Sequence, residues 1–238
     1  MPYTSFDRQI AEGSLQIGSI KLRPEEPFLW ASGFYMPIYN DNRMNLFYPE
    51  KRDRILAAFE EAIRTNQIPY EIVAGTSTAG IPWGALKASR SGSPFIYIRD
   101  KAKDHGLQNR IEGIDSDQDL AEKKVILFED LVSTGGSSVS AVQGIRDARG
   151  DIDNTLCIFS YGLDEAMEMF EGKRPYDKKG EATLEKPCRL HSLLTYEVLL
   201  DVAIETGYIN DKQAEILVEW RTDPFNWGEK HGFAPIKK

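Results

Sequence analysis

The 238-residue sequence has little of several features that would place it in other protein classes. It has two cysteines, Cys157 and Cys188, and they form no metal-ligand or redox spacing. The formal net charge is −8, which argues against broad nucleic-acid binding because that function needs a basic face. No apolar run approaches membrane-spanning length, and the N-terminus lacks a signal-peptide pattern. We therefore expect a protein of the reducing cytoplasm that binds neither nucleic acid nor membrane.

The sequence also lacks internal repeats and any linker-like stretch that would divide it. A hydrophobic content of 41% and a charged content of 28% are ordinary for a globular protein of this length. We therefore predict one domain over residues 1–238. Patterns of apolar spacing, caps and breakers predict its elements. The predicted helices are 3–17, 49–66, 85–90, 139–148, 164–170, 190–206 and 211–220. The predicted strands are 72–74, 95–98, 125–128 and 153–160, and residues 221–238 are predicted to form an irregular arm.

The most informative stretch is an apolar run followed by two acids and a loop of small residues. Residues 125–128, Val-Ile-Leu-Phe, predict a strand buried on both faces, as in a parallel sheet. Glu129 and Asp130 are predicted to follow this strand at its carboxyl end, where open α/β sheets bind ligands. The serine- and glycine-rich loop 133–138 then precedes a helical pattern. Its free backbone N–H groups would suit a phosphate.

Two adjacent carboxylates beside a phosphate loop indicate a ligand that carries more than a phosphate. Like charges repel, so the acids would gain nothing from a phosphate alone. They would gain from a pair of hydroxyls, such as those of a ribose, because carboxylates accept hydrogen bonds. The whole stretch therefore favours a ribose 5-phosphate ligand. The alternative is a solvated βα turn with chance acids and a serine N-cap.

Residues 125–137, Val-Ile-Leu-Phe-Glu-Asp-Leu-Val-Ser-Thr-Gly-Gly-Ser, resemble the signature with which type I phosphoribosyltransferases bind phosphoribosyl pyrophosphate (PRPP). The resemblance implies an α/β fold: a mainly parallel central sheet flanked by helices, with a small N-terminal hood. It also implies that the acids hold the ribose hydroxyls and that the loop holds the 5-phosphate. The PRPP-binding residues implied in this stretch are Glu129, Asp130, Leu131, Val132, Ser133, Thr134, Gly135, Gly136 and Ser137.

Residues 32–43, Ser-Gly-Phe-Tyr-Met-Pro-Ile-Tyr-Asn-Asp-Asn-Arg, are aromatic-rich and end in a polar cluster. On physical grounds alone they suit a packed hairpin as well as a binding segment. They resemble the hood segment of orotate phosphoribosyltransferases, which act in pyrimidine synthesis. The resemblance implies that orotate lies between Ile38 and Tyr39 of the hood and Ser133 of the loop. Arg43 is a candidate partner for the orotate carboxylate.

Residues 75–82, Gly-Thr-Ser-Thr-Ala-Gly-Ile-Pro, form a second small-residue loop after a predicted strand. Gly75 and Gly80 have the spacing of a phosphate loop, but Ile81 stands where a nucleoside-triphosphate site needs lysine. The sequence therefore excludes that kind of site. The loop resembles the one that faces the pyrophosphate in phosphoribosyltransferases, and a purely structural turn is an equal alternative.

A highly charged segment without apolar period, Arg99 to Gly113, follows the predicted strand 95–98. A charge run is usually solvated surface, but cations at a strand's carboxyl end are suited to cover an anionic substrate. The densest cationic cluster of the chain lies here and includes Arg99, Lys103 and His105. The segment resembles the loop that closes over PRPP in orotate phosphoribosyltransferases, usually in the site of the other subunit. The resemblance therefore implies a homodimer with shared sites, while the loop's action within or between subunits stays open.

The resemblance covers roughly residues 14–227, with the hood mainly at 14–48, the core at 49–210 and a C-terminal arm at 211–238. Several cations that many family members carry are replaced, at Ala31, at Ala79 and in the stretch 161–164, Tyr-Gly-Leu-Asp. Asp100 likewise stands where a lysine is frequent. These departures affect recognition of the base more than recognition of PRPP.

The reaction implied by the resemblance is transfer of the phosphoribosyl group from PRPP to orotate, which gives orotidine 5′-monophosphate and pyrophosphate. Mg²⁺ would be bound mainly through PRPP, with Glu129 and Asp130 as further candidate ligands. Arg99, Lys103 and His105 are the predicted catalytic residues because they would neutralise the leaving pyrophosphate. The alternatives are transfer to a purine or uracil, or a non-catalytic PRPP-sensing regulator. The regulator would need a DNA-binding helix pair or a basic face, and the sequence shows neither.

Replacement of Lys103 by alanine should sharply lower turnover, because a cation that offsets the charge of the departing pyrophosphate would be lost. Steady-state rates of the purified variant and of the wild type, measured side by side with PRPP and orotate, would test this. Near wild-type turnover of the Lys103→Ala variant would contradict the hypothesis that the charged segment covers the substrate.

Overall fold

The structure is a computed structural model that describes residues 5–100, 110–115, 119–177 and 179–236. In these ranges the helices, which include a 3-10 helix at Asn42–Phe47, are α1 Ser5–Ile17, α2 Pro49–Thr65, α3 Gly80–Ser91, α4 Gly136–Asp147, α5 Asp164–Phe170, α6 Tyr196–Glu205, α7 Asp211–Thr222 and α8 Pro224–Lys230. The strands are β1 Ile20–Leu22, β2 Phe28–Leu29, β3 Tyr35–Met36, β4 Ile38–Asn40, β5 Ile72–Thr76, β6 Phe95–Ile98, β7 Ile111–Glu112, β8 Lys124–Val132, β9 Asp151–Ser160 and β10 Arg189–Thr195.

The chain groups into two compact units. Residues 53–193 form one, which we call the sheet unit, and residues 1–52 with 194–238 form the other, the terminal unit. The predicted hood and C-terminal arm both fall in the terminal unit. The division into hood, core and arm within one domain stays a prediction.

The sheet unit is built on a sheet whose described strands run in the order β10-β9-β8-β5-β6-β7. The pairs β5–β6, β5–β8 and β8–β9 are parallel, and β7 runs antiparallel to β6 at one edge. Parallel strands need crossover connections, which here contain helices such as α3 and α4. The predicted α/β fold with a mainly parallel sheet flanked by helices is confirmed.

Helices cover both faces of the sheet around β8. Leu127 belongs to a buried cluster with Val139 and Val142 of α4. The next residue, Phe128, packs edge-to-face on Phe59 of α2, with ring centroids 4.9 Å apart. Because successive strand residues point to opposite faces, β8 is buried on both sides. This explains the unbroken apolar run that the sequence shows there.

The terminal unit contains two short antiparallel pairs, β1 with β4 and β2 with β3. Gly33 connects β2 to β3 with a φ of +87°, and a Cβ atom there would lie 2.3 Å from the Ile236 carbonyl oxygen. The Trp220 indole N–H donates a hydrogen bond of 3.0 Å to the Met36 sulfur. The aromatic segment 32–43 is therefore a packed hairpin region.

Two sequence predictions about the C-terminal third are wrong. The predicted helix 190–206 is a strand, β10, followed by the shorter helix α6. Thr195 caps α6 because its hydroxyl accepts a hydrogen bond from the Val198 N–H. The predicted irregular arm contains α8, which has Pro224 in its first turn. Leucines at 190, 193 and 194 suit a helical period as well as an edge strand, so the pattern alone did not separate them.

Among the described residues, none of the helices combines the length and the apolar character that a membrane span requires.

Replacement of Phe59 by alanine should lower the free energy of unfolding by about 3–5 kcal/mol, because it removes a fully buried ring that packs on Phe128. Phe47→Ala is the matched control, since the Phe47 ring is 82% exposed and its loss should change stability by at most about 0.5 kcal/mol. Denaturant titrations of the two variants and the wild type would measure both effects. Equal stability of the two variants would contradict the packing described here.

Candidate active site

Small and charged residues converge at the carboxyl edge of the sheet. Strands β5, β6 and β8 are parallel, so their carboxyl ends lie at the same edge. Residues 76–80 begin at the last residue of β5, and Arg99 follows β6. Residues 129–138 span the end of β8 and the start of α4. A cavity of about 290 Å³ lies here, lined by Ser77, Thr78, Ala79, Glu129, Asp130, Leu131, Ser133, Thr134, Gly135, Gly136, Ser137 and Ser138.

The two acids lie within strand β8, whereas the sequence predicted that the strand would end before them. Backbone pairing continues past them, with Glu129 opposite Cys157 and Leu131 opposite Phe159 of β9. The strand extends because β9 offers partners over its own length, which residue patterns in β8 do not reveal. The backbone of both acids is therefore held by the sheet, as a preorganised site requires.

Glu129 is a buried carboxyl group, only 6% exposed. One of its oxygens accepts a hydrogen bond of 2.9 Å from the Ser138 hydroxyl, and the other accepts one of 3.0 Å from the Asp130 backbone N–H. Burial, followed by the neighbouring charge of Asp130, raises the pKa of Glu129 from the ordinary 4.5 to about 8. Burial therefore favours the neutral form of Glu129 in the folded chain.

The loop between β8 and α4 has the form of an anion cradle. Gly135 has a φ of +88°, and a Cβ atom there would lie 3.1 Å from the Ala166 Cα. Helix α4 begins at the next residue, so its first backbone N–H groups have no partner within the helix. The Ser137 hydroxyl in this first turn donates a hydrogen bond of 3.2 Å to the Asp100 carboxylate.

The second small-residue loop packs tightly against β8. A Cβ atom at Gly80 would lie 2.3 Å from the Thr76 hydroxyl and 2.4 Å from the Phe128 carbonyl oxygen, so glycine is required there. The Thr76 hydroxyl in turn donates to that carbonyl at 3.4 Å. Ser77, Thr78 and Ala79 therefore line the same cavity as the cradle. The role of this loop at a pyrophosphate stays a prediction.

The predicted cationic residues are described only in part. The Arg99 side chain is 38% exposed and forms an ion pair with Glu112 at 3.4 Å. Lys103 and His105 lie outside the described residues. Of the predicted catalytic residues, the structure thus places Arg99, just after β6 at the carboxyl edge of the sheet.

The residues predicted to contact orotate from the hood belong to the terminal unit. Ile38 is fully buried, and its carbonyl oxygen accepts a hydrogen bond of 2.9 Å from the Trp30 indole N–H. Tyr39 is partly exposed. The Arg43 guanidinium donates hydrogen bonds of 2.7 and 3.0 Å to Asp41 and holds the pKa of that carboxyl below its usual range. The orotate-binding roles of these residues stay predictions.

Sequence reasoning did not single out Ser138, which is buried and holds Glu129. The sequence did contain a signal for a functional role of Ser138, because this residue lies in the first turn of the helix that follows the acids. Its partner could not be read from the sequence, since Glu129 is nine residues away in a different element.

The donor set suits a magnesium ion only with help from a ligand. Carboxylate oxygens are the hard ligands that Mg²⁺ prefers, and Glu129 and Asp130 both line the cavity. In the part of the chain that the structure describes, no group of three or more His, Cys, Asp and Glu side chains could hold a metal. An ion here would therefore need further oxygen ligands, as the phosphates of a substrate provide.

Comparison with solved structures defines the class of the fold. A crystal structure of orotate phosphoribosyltransferase from Aeropyrum pernix matches with a TM-score of 0.64 and 24% identity, covering 84% of this chain and 99% of that one. At that identity the match speaks for the fold, which is that of the phosphoribosyltransferases. No protein-family model matches the chain.

Curated relatives define the family. Orotate phosphoribosyltransferase from Cytophaga hutchinsonii is 40% identical over 223 residues, covering 94% of this chain and 99% of the relative. The enzyme of that name from Staphylococcus saprophyticus is 42% identical over 214 residues, covering 90% and 97%. The chain belongs to the orotate phosphoribosyltransferase family.

The raised pKa of Glu129 predicts a specific pH dependence of stability. A folded-state pKa above the unfolded value means that the stabilising contribution is complete below about pH 4.5 and is lost as the pH rises through about 8. Glu129→Gln removes this titration. Between about pH 5 and about pH 9 the free energy of unfolding of this variant should fall less than that of the wild type, since a pKa difference of one corresponds to about 1.4 kcal/mol.

Urea titrations across this pH range would measure the difference. The exposed Glu181→Gln variant is the matched control and should follow the wild type. If the Glu129→Gln variant also follows the wild type, the carboxyl group of Glu129 ionises in the folded chain as it does in the unfolded one.

Proposed function

We propose that the protein transfers the phosphoribosyl group of PRPP to orotate, with release of pyrophosphate, in the biosynthesis of pyrimidine nucleotides. The main observation behind this proposal is the shared cavity, in which a serine–glycine cradle at the start of α4 adjoins the two acids of β8. Membership of the orotate phosphoribosyltransferase family supports the choice of substrates.

The cradle suits the 5-phosphate. Residues of the first turn of α4, together with Ser133 and Thr134, line the cavity and would offer backbone N–H groups and hydroxyls to the phosphate. Helix N-termini favour anions because free N–H groups and the helix dipole both point at the ligand. The positive φ of Gly135 brings the backbone into this curve without a side chain in the way.

The acids suit the ribose hydroxyls and an associated metal ion. Asp130 is half-buried and lines the cavity, and the buried Glu129, which also lines it, accepts a hydrogen bond from Ser138. A bound Mg²⁺ would supply charge neutralisation at the diphosphate. The positive charge of a Mg²⁺ ion bound to Glu129 would also favour the ionised form of this residue, because an adjacent opposite charge lowers the pKa of a carboxyl group.

The reaction breaks the bond between ribose C1 and the diphosphate oxygen and forms a bond from C1 to a ring nitrogen of orotate. The electron pair of the broken bond leaves with the diphosphate, and the nitrogen loses its proton. Arg99 at the end of β6, together with Lys103 and His105, would offset the charge on the leaving group. A rigid sheet edge contributes by holding the ribose in position for attack.

Recognition of orotate is assigned to the hood segment around Ile38, Tyr39 and Arg43 and to Ser133. In the terminal unit the Ile38 side chain is buried, so its neighbourhood would contact the base through the backbone or through Tyr39. A homodimer with shared sites and a cytoplasmic location belong to the same proposal, on the strength of the resemblance. Transfer to another base, or PRPP sensing without turnover, are the competing functions.

Purified protein should consume orotate only when PRPP and Mg²⁺ are both present, because the diphosphate needs the ion for charge neutralisation. Loss of the orotate absorbance follows the reaction, and EDTA should abolish it until excess Mg²⁺ is added. Parallel assays with uracil, adenine, guanine and hypoxanthine are the controls for specificity. Turnover with one of these bases and none with orotate would move the assignment to another phosphoribosyltransferase.

A PRPP-dependent gel shift with no turnover on any base would instead favour the regulator. Both outcomes would leave the PRPP site in place and overturn only the proposed acceptor or the proposed catalysis.

A further inference from the structure

Arg110 is a half-buried arginine whose guanidinium donates three hydrogen bonds inside the sheet unit. Its Nε donates to the Arg99 carbonyl oxygen at 3.0 Å. Its Nη1 donates at 3.1 Å to both the carbonyl oxygen and the hydroxyl of Ser140. One side chain therefore joins the end of β6 to the second turn of α4.

The backbone around Arg110 reinforces this link. The Arg99 N–H donates to the Arg110 carbonyl oxygen at 2.9 Å, so the two arginines are held to each other in both directions. The pairing of β6 with β7, in which Tyr97 is opposite Glu112 and Ile98 is opposite Ile111, fixes the same junction. These backbone hydrogen bonds thus fix the position from which the Arg110 side chain extends.

The face of α4 that receives Arg110 also carries the cradle. Ser137 and Ser140 are three residues apart and therefore lie on the same side of the helix, as does Gly144. The Ser137 hydroxyl donates to Asp100, which is the next residue after Arg99. A Cβ atom at Gly144 would lie 3.6 Å from Arg110 Nη1, so the guanidinium rests on this side of the helix. The end of β6 is thus attached to α4 at two successive turns.

We propose that Arg110 is a positioning residue that sets the spacing between the 5-phosphate cradle and Arg99. This inference rests on the proposed function, in which the cradle and Arg99 contact opposite ends of PRPP. The cradle is the first turn of α4, and Arg99 belongs to the end of β6. A substrate that carries a phosphate at one end and a diphosphate at the other needs both at a fixed separation.

A guanidinium suits this task better than an ammonium would. Its donors diverge from a rigid plane, so one group can reach acceptors on two different elements. Its acceptors here are two backbone carbonyls and a hydroxyl. A lysine at this position could keep one of the two links but would not bridge them.

The test compares binding of PRPP with binding of ribose 5-phosphate, in the presence of Mg²⁺, by calorimetry on the full chain. Arg110→Met removes all three hydrogen bonds and should weaken PRPP binding about tenfold, which corresponds to about 1.4 kcal/mol. Binding of ribose 5-phosphate, which needs only the cradle and the acids, should change less than about twofold. Arg110→Lys should weaken PRPP binding by an intermediate factor because it retains one link.

Arg149→Met is the matched control, since Arg149 is an exposed arginine paired with Asp119 and Glu122 and should leave both affinities unchanged. Ser140→Ala removes only one acceptor and should weaken PRPP binding slightly. In the double variant with Arg110→Met it should add nothing, because the two residues act through one contact. If Arg110→Met does not fold, Arg110→Lys and Ser140→Ala carry the same comparison.

Equal weakening of PRPP and ribose 5-phosphate in the Arg110 variants would overturn the inference, as would unchanged PRPP binding. Wild-type protein that binds PRPP but leaves orotate unchanged would refute the proposed reaction while the Arg110 comparison still holds. Wild-type protein that binds neither ligand would refute both.

Discussion

The pairing of β8 with its neighbours is the constraint on which the site depends. Because the hydrogen-bonded ladder between β8 and β9 continues to Val132, both acids are part of the sheet and not of a loop. The following residues must then turn within a few positions to begin α4 at Gly136. Acids and cradle are adjacent because the strand, the turn and the helix are continuous.

Burial gives the two acids different properties. Glu129 is enclosed by the sheet, Ser138 and the Asp130 backbone, and its pKa is raised to about 8, whereas Asp130 is more exposed to the cavity. Two ionised carboxylates side by side would repel each other and a phosphate. A raised pKa of Glu129 favours its neutral form and so lessens that repulsion.

The sheet edge is assembled from segments that are distant in sequence. Gly80 approaches the Phe128 carbonyl, Ser137 binds Asp100, and the Arg110 side chain links the end of β6 to α4. Each contact joins a loop of the cavity to the element beside it. Packed elements have few alternative arrangements, so these contacts hold the cavity in one shape. The described lining of the cavity therefore has a defined shape in the free protein.

Sequence alone determined what depends on neighbouring residues. The apolar run before Glu129, the glycine spacing of residues 75–80 and the strand at 95–98 follow from local pattern, and with them the α/β class and the cradle. Tertiary structure decided the rest: where β8 ends, that residues 189–195 form a strand, that Glu129 is held by Ser138, and that Arg110 binds Ser140. These features depend on partners supplied by other elements, and a hydrogen-bond partner that is far away in the chain leaves no periodic trace in the sequence.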